Sequence, residues 1–447
     1  GGLIAWTYWG DTPTVAESEA DGLPLPTRPP LIEVEALPRL EAALDANPRF
    51  MGGVLVAKGD QVLFRQVYGM ADREAGRQMQ LDSRFRLASV SKQFNAAAIL
   101  RLQDRGVLDI RDPLCKWITE CPEAWRPIRL HHLLTHTAGV PDLMQQSSWG
   151  LIRQTPRTPE QLTATTAEYR LSFEPGTKIR YSNAGYNLLG TVVERASGMN
   201  FEDFLQFFEP LGMDDTGSDA DAAGHGVIMG YGDFPEGLTP QPNANVSVVF
   251  ASGALYSTLD DMLVWQQALH RGHLLSDYSH AQMVMDHAPV DENGERVGRS
   301  RALGYGLYAD RLGERTDAPF SDMQVYHTGS WSGFRNLVLY QPDHDVTVVV
   351  LSNNYHLRDM VMLIAQQAMA EALGRDLGKL TPGPIGRLGA QPLVPEPEIE
   401  AVVGGEPAVM LVVMGGGDQP FEGRAPQPRL RPHLTPGVVQ HRRQGHQ

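Results

Sequence analysis

The chain has 447 residues, of which 42% are hydrophobic and 20% charged, and it carries a net charge of -15 at pH 7. That length is enough to bury a large core and to hold more than one domain. The acidic balance disfavours nucleic acid and anionic membrane surfaces as partners, because both repel a negatively charged protein.

Residues 1–35 read as a linker or as the remnant of an export or anchor segment. The apolar start Gly1-Gly2-Leu3-Ile4-Ala5-Trp6-Thr7-Tyr8-Trp9 is too short to span a bilayer, and no other stretch reaches the length required. Membrane attachment is therefore expected only if a missing N-terminal portion is an anchor, and a bacterial envelope or periplasmic location is compatible with the same segment. Residues 10–30 are rich in Pro, Thr and acids and lack an apolar period. A helical pattern follows at Ile32 to Leu44. The runs Gly53 to Ala57 and Val62 to Tyr68, joined across Lys58-Gly59-Asp60, predict a β-hairpin.

From Ser89 the pattern turns helical, with Phe94, Ala97, Ala98, Leu100 and Leu102 on an apolar face and Gly106 as the stop. Further helices are predicted at Thr158 to Tyr169, Tyr186 to Ala196 and Phe201 to Phe208. Two cysteines, Cys115 and Cys121, are too few for a disulfide scaffold or a zinc cluster. They are expected as free, partly buried thiols, with one short bridge as the alternative in an oxidising compartment.

The β signal returns at Asn336 to Tyr340 and Val346 to Leu351, a second hairpin, followed by a helix from Arg358 to Leu373 capped by Gly374. Strands at both ends of the core and helices between them predict an α/β domain formed from residues 36–90 and 245–375, with a helical domain inserted at 91–244. Residues 376–447 are rich in Pro and Gly and read as a largely disordered tail, with one apolar patch, Ala408 to Met414, able to add a strand.

Three short segments carry chemistry. In Ser89-Val90-Ser91-Lys92, a helix starting at the serine places Lys92 one turn on and on the same face, within reach of a hydroxyl that needs an adjacent base to become a nucleophile. Ser-x-x-Lys occurs once here: Lys58, Lys116, Lys178 and Lys379 follow Leu55, Pro113, Pro175 and Asp376 at that spacing. In Tyr181-Ser182-Asn183, reached through the Pro175-Gly176 turn, the phenol can pass a proton. Asn183 offers both a donor and an acceptor to Lys92 and a substrate amide. Read in isolation, the same residues are a packed tyrosine and a helix cap. In His327-Thr328-Gly329-Ser330, an expected edge strand, the glycine lets a substrate approach the backbone and the amides of Ser330 and Ser89 are candidate oxyanion donors. His132 and His136 are four apart, but no Cys or acid nearby completes a metal site. No metal or cofactor is expected. Trp331 and Phe334 are expected to line an acyl pocket rather than the core, with pocket-shaping loops at 144–158, 217–244 and 310–324.

The order Ser-x-x-Lys, Tyr-x-Asn, His-Thr-Gly resembles the signature of the penicillin-recognising serine enzymes, in the tyrosine-containing form of class C β-lactamases, D-alanyl-D-alanine carboxypeptidases, D-aminopeptidases and family VIII carboxylesterases. His132-Leu133-Leu134-Thr135-His136-Thr137-Ala138-Gly139 and Ala251-Ser252-Gly253-Ala254-Leu255-Tyr256-Ser257-Thr258 are similar to further family segments, so the resemblance runs from about Leu40 to Leu373. It implies the β-lactamase/transpeptidase-like fold, an antiparallel sheet flanked by helices with an inserted helical domain. It also implies acyl-enzyme chemistry: Ser89 as nucleophile, Lys92 and Tyr181 sharing the acid and base work, Asn183 positioning Lys92 and substrate, and His327, Gly329 and Ser330 binding substrate. The substrate is then a small ester, amide or peptide. Carboxylesterase-like activity is the leading expectation; D-amino-acid peptidase, carboxypeptidase or β-lactamase activity, slow-turnover β-lactam or peptidoglycan binding, and acyl transfer to a bulky acceptor are the alternatives. Many relatives have lysine where His327 stands, and a mostly neutral histidine offers a substrate carboxylate no fixed charge. The sequence gives no expectation of oligomeric state.

Overall fold

A computed structural model describes residues 37–205, 210–221, 223–241, 245–271, 274–290, 302–313 and 320–377, together with the strands 398–401 and 410–413. The expected N-terminal linker lies outside the described residues.

The centre is a seven-stranded antiparallel sheet. Its strands are β1 (Gly52–Lys58), β2 (Gln61–Tyr68), β3 (Ala302–Leu303), β4 (Tyr308–Arg311), β5 (Met323–Trp331), β6 (Phe334–Gln341) and β7 (Val346–Ser352), in the spatial order β3-β4-β5-β6-β7-β1-β2. Both predicted hairpins are present, and β1 closes the sheet against β7, pairing Val54 with Val350 and Val56 with Val348.

Successive side chains in a strand face opposite ways, so each strand serves two cores. Val54, Val56, Leu337, Leu339, Val348 and Val350 pack with helices α1 (Pro38–Asp45) and α6 (Arg358–Ala372). Leu55, Val338, Val349 and Leu351 belong to the larger core on the other face. That core also takes in helices α2 (Ser91–Asp104), α4 (Asn183–Ser197) and α5 (Leu259–His270), and Leu162 from α3 (Pro159–Ala167). With both faces covered, the strands read as unbroken apolar runs. Helix α6 shows the spacing of a one-sided helix, burying Val361, Ile364, Ala365, Ala368 and Met369.

Helix α2 differs from expectation. Every residue from Ser91 to Leu102 is buried, so it has no solvent face. Its polar residues are partly satisfied internally: Gln93 accepts from Trp265 Nε1 at 3.1 Å and Gln266 Nε2 at 2.8 Å, and Asn95 donates to the carbonyls of Tyr186 and Ala251, both at 2.8 Å, while Gln93 Nε2 and Asn95 Oδ1 are buried without a hydrogen-bond partner.

Other expectations shift in detail. Helix α4 starts at Asn183, three residues earlier than the periodicity indicates, because Ser182 caps it by accepting from Gly185 N. The helix expected at Phe201 to Phe208 is described only as Phe201–Phe204; residues 206–209 lie outside the described residues. Cys115 and Cys121 form a disulfide, so the expectation of free thiols is corrected. Sequence spacing alone does not fix Cα separation, and here the two Cα atoms lie 5.3 Å apart, inside the range a disulfide spans. In the stretch expected as a disordered tail, Glu398–Ala401 and Met410–Val413 pair as an antiparallel hairpin, the second strand falling in the apolar patch read from the sequence.

Candidate active site

The nucleophile candidate sits on a strained turn between a short strand and a buried helix. Phe85–Arg86 pairs with Leu255–Ser257, the Leu87 amide donates to the Leu255 carbonyl, and the chain then turns through a 3-10 segment, Ala88–Val90, into α2. Ala88 has φ of 50°, a region that residues with a Cβ rarely adopt. The turn leaves Ser89 half-buried while its neighbours Ala88 and Val90 are buried. Ser91, the other serine of the motif, is fully used by structure: its Oγ accepts from Leu255 N at 3.2 Å.

Lys92 is completely buried on the first turn of α2. Its Nζ donates to Ser89 Oγ at 3.2 Å, Asn183 Oδ1 at 2.8 Å and the Ser252 carbonyl at 2.8 Å. The Tyr181 hydroxyl donates to Ser89 Oγ at 2.7 Å, and Nζ stands 4.7 Å from the centre of the Tyr181 ring. Residues 89, 92, 181 and 183, separated by up to 94 positions, thus form one connected network around one oxygen.

The loop that carries Tyr181 is braced from both sides by the histidine-threonine segment. The Arg180 amide donates to the His136 carbonyl and the Gly176 amide to the Thr137 carbonyl. His136 Nδ1 accepts from Ser182 N at 3.2 Å, and its ring lies 4.4 Å from that of Tyr181. Burial, with Lys92 and His327 nearby, holds the His136 pKa well below that of free imidazole. A neutral ring accepting at Nδ1 carries its proton on Nε2. His132 Nδ1 separately accepts from Arg129 N at the start of the short helix Leu130–Leu134, so the two histidines are turned to different partners. Among the described residues, the one group with metal-ligand spacing is Asp219, Asp221 and His225, and it is occupied by its own contacts: Arg86 on Asp219, and His225 on Asp221.

Strand β5 carries His327, Gly329 and Ser330. It is not the edge strand expected: β4 pairs with it from Met323 to Tyr326, and beyond that point its outer side faces the Ser89 turn. His327 is buried, and its Nδ1 lies 2.6 Å from the Thr328 carbonyl. A carbonyl can only accept, so Nδ1 is the protonated nitrogen. Gly329 has a structural cause in addition to the one expected. A Cβ there would meet the Leu87 carbonyl oxygen at 2.2 Å, so the glycine lets the Ser89 turn approach the strand. Asn336 on β6 fastens the same contact, donating to the carbonyls of Arg86 at 2.8 Å and Leu87 at 3.3 Å. Ser330 is half-buried. Trp331 and Phe334, expected at an acyl pocket, are 8% and 2% exposed and join the main core, because the two-residue turn between them folds back onto Gly230.

Sequence reasoning missed Asp142 and underread Ser252. Asp142 is 1% exposed and accepts from Met144 N at 3.0 Å, Asn183 N at 3.1 Å and Asn183 Nδ2 at 2.8 Å. Burial pushes its pKa up, opposed by those donors and by the charge of Lys92. A single aspartate in a loop gives no signal in a sequence. Ser252 lies in a segment read as supporting, yet its carbonyl holds the lysine.

The Beta-lactamase family model matches residues 37–371. The chain belongs to the Beta-lactamase family. Among curated relatives it is 28% identical over 335 residues to penicillin-binding protein 4* of Bacillus subtilis, covering 71% of each chain. It is 36% identical over 203 residues to the esterase EstB of Burkholderia gladioli, covering 40% of this chain and 50% of the esterase. Among solved structures, the octameric penicillin-binding protein homologue from Pyrococcus abyssi superposes with a TM-score of 0.65 at 26% identity, over 77% of this chain and 79% of that one. The fold of this Beta-lactamase family member is therefore the β-lactamase/transpeptidase-like fold. No helix among the described residues is long and apolar enough to cross a membrane.

Proposed function

We propose that this protein is a serine hydrolase that forms an acyl-enzyme on Ser89 and acts on small ester or amide substrates, in the manner of a carboxylesterase. The observation that carries this reading is that Ser89 Oγ receives hydrogen bonds from both Lys92 Nζ and Tyr181 Oη. A hydroxyl so placed has one group to take its proton and a second to deliver a proton to the leaving group. Lys92 and Tyr181 share these roles, Asn183 holds Lys92 and the substrate amide, and the amides of Ser89 and Ser330 stabilise the oxyanion. Water then releases the acyl group. In this reading a two-segment α/β domain and an inserted helical domain meet at a cleft bounded by the Ser89 turn, the Tyr181 loop and β5.

His327 supports an ester over a β-lactam. Its Nδ1 proton is committed to the Thr328 carbonyl, and an imidazole, unlike a lysine, gives a substrate carboxylate no permanent positive charge. D-amino-acid peptidase, carboxypeptidase or β-lactamase activity on the same site is the second reading, supported by the relative named as a penicillin-binding protein, which matches more of the chain than the esterase does. The disulfide supports an exported, oxidising location.

The deciding experiment is intact-protein mass after exposure to p-nitrophenyl butyrate, a fluorophosphonate and penicillin G, for wild type and Ser89→Ala. An adduct on wild type alone, with rapid p-nitrophenol release, is the expected result. A long-lived penicillin adduct without ester turnover favours the slow β-lactam binder. Equal labelling of Ser89→Ala overturns the nucleophile assignment.

A further inference from the structure

Lys92 is buried, and the oxygens that accept from its Nζ include a hydroxyl, an amide and a backbone carbonyl, none of which carries a formal charge. A buried ammonium so placed is costly without a nearby negative charge. The groups facing it include the rings of Tyr181 and Tyr186, the neutral His136 with His327 beyond it, and Asp142 behind Asn183. Among these, Asp142 alone is an acid with a carboxylate to offer.

The contact between Asp142 and Asn183 also has a direction. Each of the three hydrogen bonds on the Asp142 side chain is one it accepts, the pattern of a carboxylate. A carboxylate cannot donate, so it draws the NH2 of Asn183 toward itself and leaves Oδ1 pointing at Lys92 Nζ. The opposite amide orientation would press the Asn183 NH2 against the ammonium.

We propose that Asp142 is a positioning residue for the reaction: through Asn183 it dictates which amide atom meets Lys92, and it supplies the counter-charge of the buried lysine. This inference rests on the Ser-Lys-Tyr reading above.

The test is the pH profile of kcat/KM for p-nitrophenyl butyrate on the full chain, with melting temperature alongside. The variants are Asp142→Asn, the exchange Asp142→Asn with Asn183→Asp, and Lys92→Ala. Loss of the counter-charge in Asp142→Asn disfavours the ammonium form, so the limb belonging to Lys92 moves about half a pH unit or more toward lower pH. In the same variant kcat falls on the order of 10- to 100-fold with a smaller change in KM. The exchange places the carboxylate directly on Lys92 with an amide behind it, so the same limb moves above its wild-type position. Opposite displacements support the proposal. A limb that stays in place in both variants, or moves the same way in both, overturns it. If Asp142→Asn does not fold, the exchange decides alone: a limb above wild type supports the proposal and an unmoved limb overturns it. Lys92→Ala separates the two levels. Unchanged activity in that variant overturns the Ser-Lys-Tyr reading itself, whereas loss of activity there with unmoved limbs in the Asp142 variants overturns only the role of Asp142.

Discussion

Replacing Gly329 with alanine tests whether the nucleophile turn is positioned by its contact with strand β5. The added Cβ would lie 2.2 Å from the Leu87 carbonyl oxygen and 3.1 Å from Asn336 Nδ2, whereas ordinary contact begins near 3.4 Å. Strand and turn must therefore separate by 3.4 − 2.2 = 1.2 Å. Neither side yields easily: β5 is paired to β6 from Val325 to Trp331, and Leu87 is tied to Leu255 and Asn336. Overpacking of this kind costs about 1–3 kcal/mol of stability. A shift near 1 Å in the reacting groups costs on the order of 100-fold in rate. The expected result for Gly329→Ala is a folded protein, melting several degrees lower, whose kcat/KM for p-nitrophenyl butyrate and whose fluorophosphonate labelling rate both fall about 100-fold. Labelling by a small irreversible probe reports the Ser89 geometry without requiring a particular substrate. If Gly329→Ala labels within threefold of wild type, the close approach does not position Ser89 and the argument fails. A loss of turnover with normal labelling would instead point to the substrate-approach role read from the sequence.

Three further outcomes are expected. Tyr181→Phe removes the 2.7 Å hydrogen bond to Ser89 and lowers kcat on the order of 10²- to 10⁴-fold with little change in melting temperature; unaltered kcat would remove Tyr181 from proton transfer. The pKa values of buried His136 and His270 are held well below those of the unfolded chain, chiefly by burial. Their stabilising effect is complete above about pH 6.5 and is lost as pH falls below it, each contributing a slope of about 1.4 kcal/mol per pH unit in that window; chemical denaturation at pH 7 and pH 5.5 that gives equal stabilities would contradict this. Intact-mass measurement after alkylation in denaturant without reductant is expected to find no free thiol, and Cys115→Ser with Cys121→Ser to cost about 2 kcal/mol for so short a loop; two alkylated cysteines in native-purified protein would refute the pairing.

Much of this protein is set within the sequence itself. The apolar, β-branched runs at 53–57, 62–68, 336–340 and 346–351 and the apolar spacing of 358–372 specify strands and a helix from local stereochemistry alone. The segments at Ser89, Tyr181 and His327 name the chemistry because its residue types and order are specific. Local periodicity reports only on neighbours a few residues away, and most of what was misjudged here depends on contacts between distant segments. Helix α2 looked one-sided, but packing against α4, α5 and the sheet buries it on every side. Gly329 looked only like a substrate approach, and the close backbone contact it makes with Leu87, 242 positions earlier, was not foreseen. Trp331 and Phe334 looked like pocket residues and close the core. Asp142 carried no signal, because an aspartate gains its meaning only from the amide it holds. Tertiary structure alone decided that the buried lysine also meets the Ser252 carbonyl, since that partner, 160 positions away, is brought to it by core packing and by no local rule.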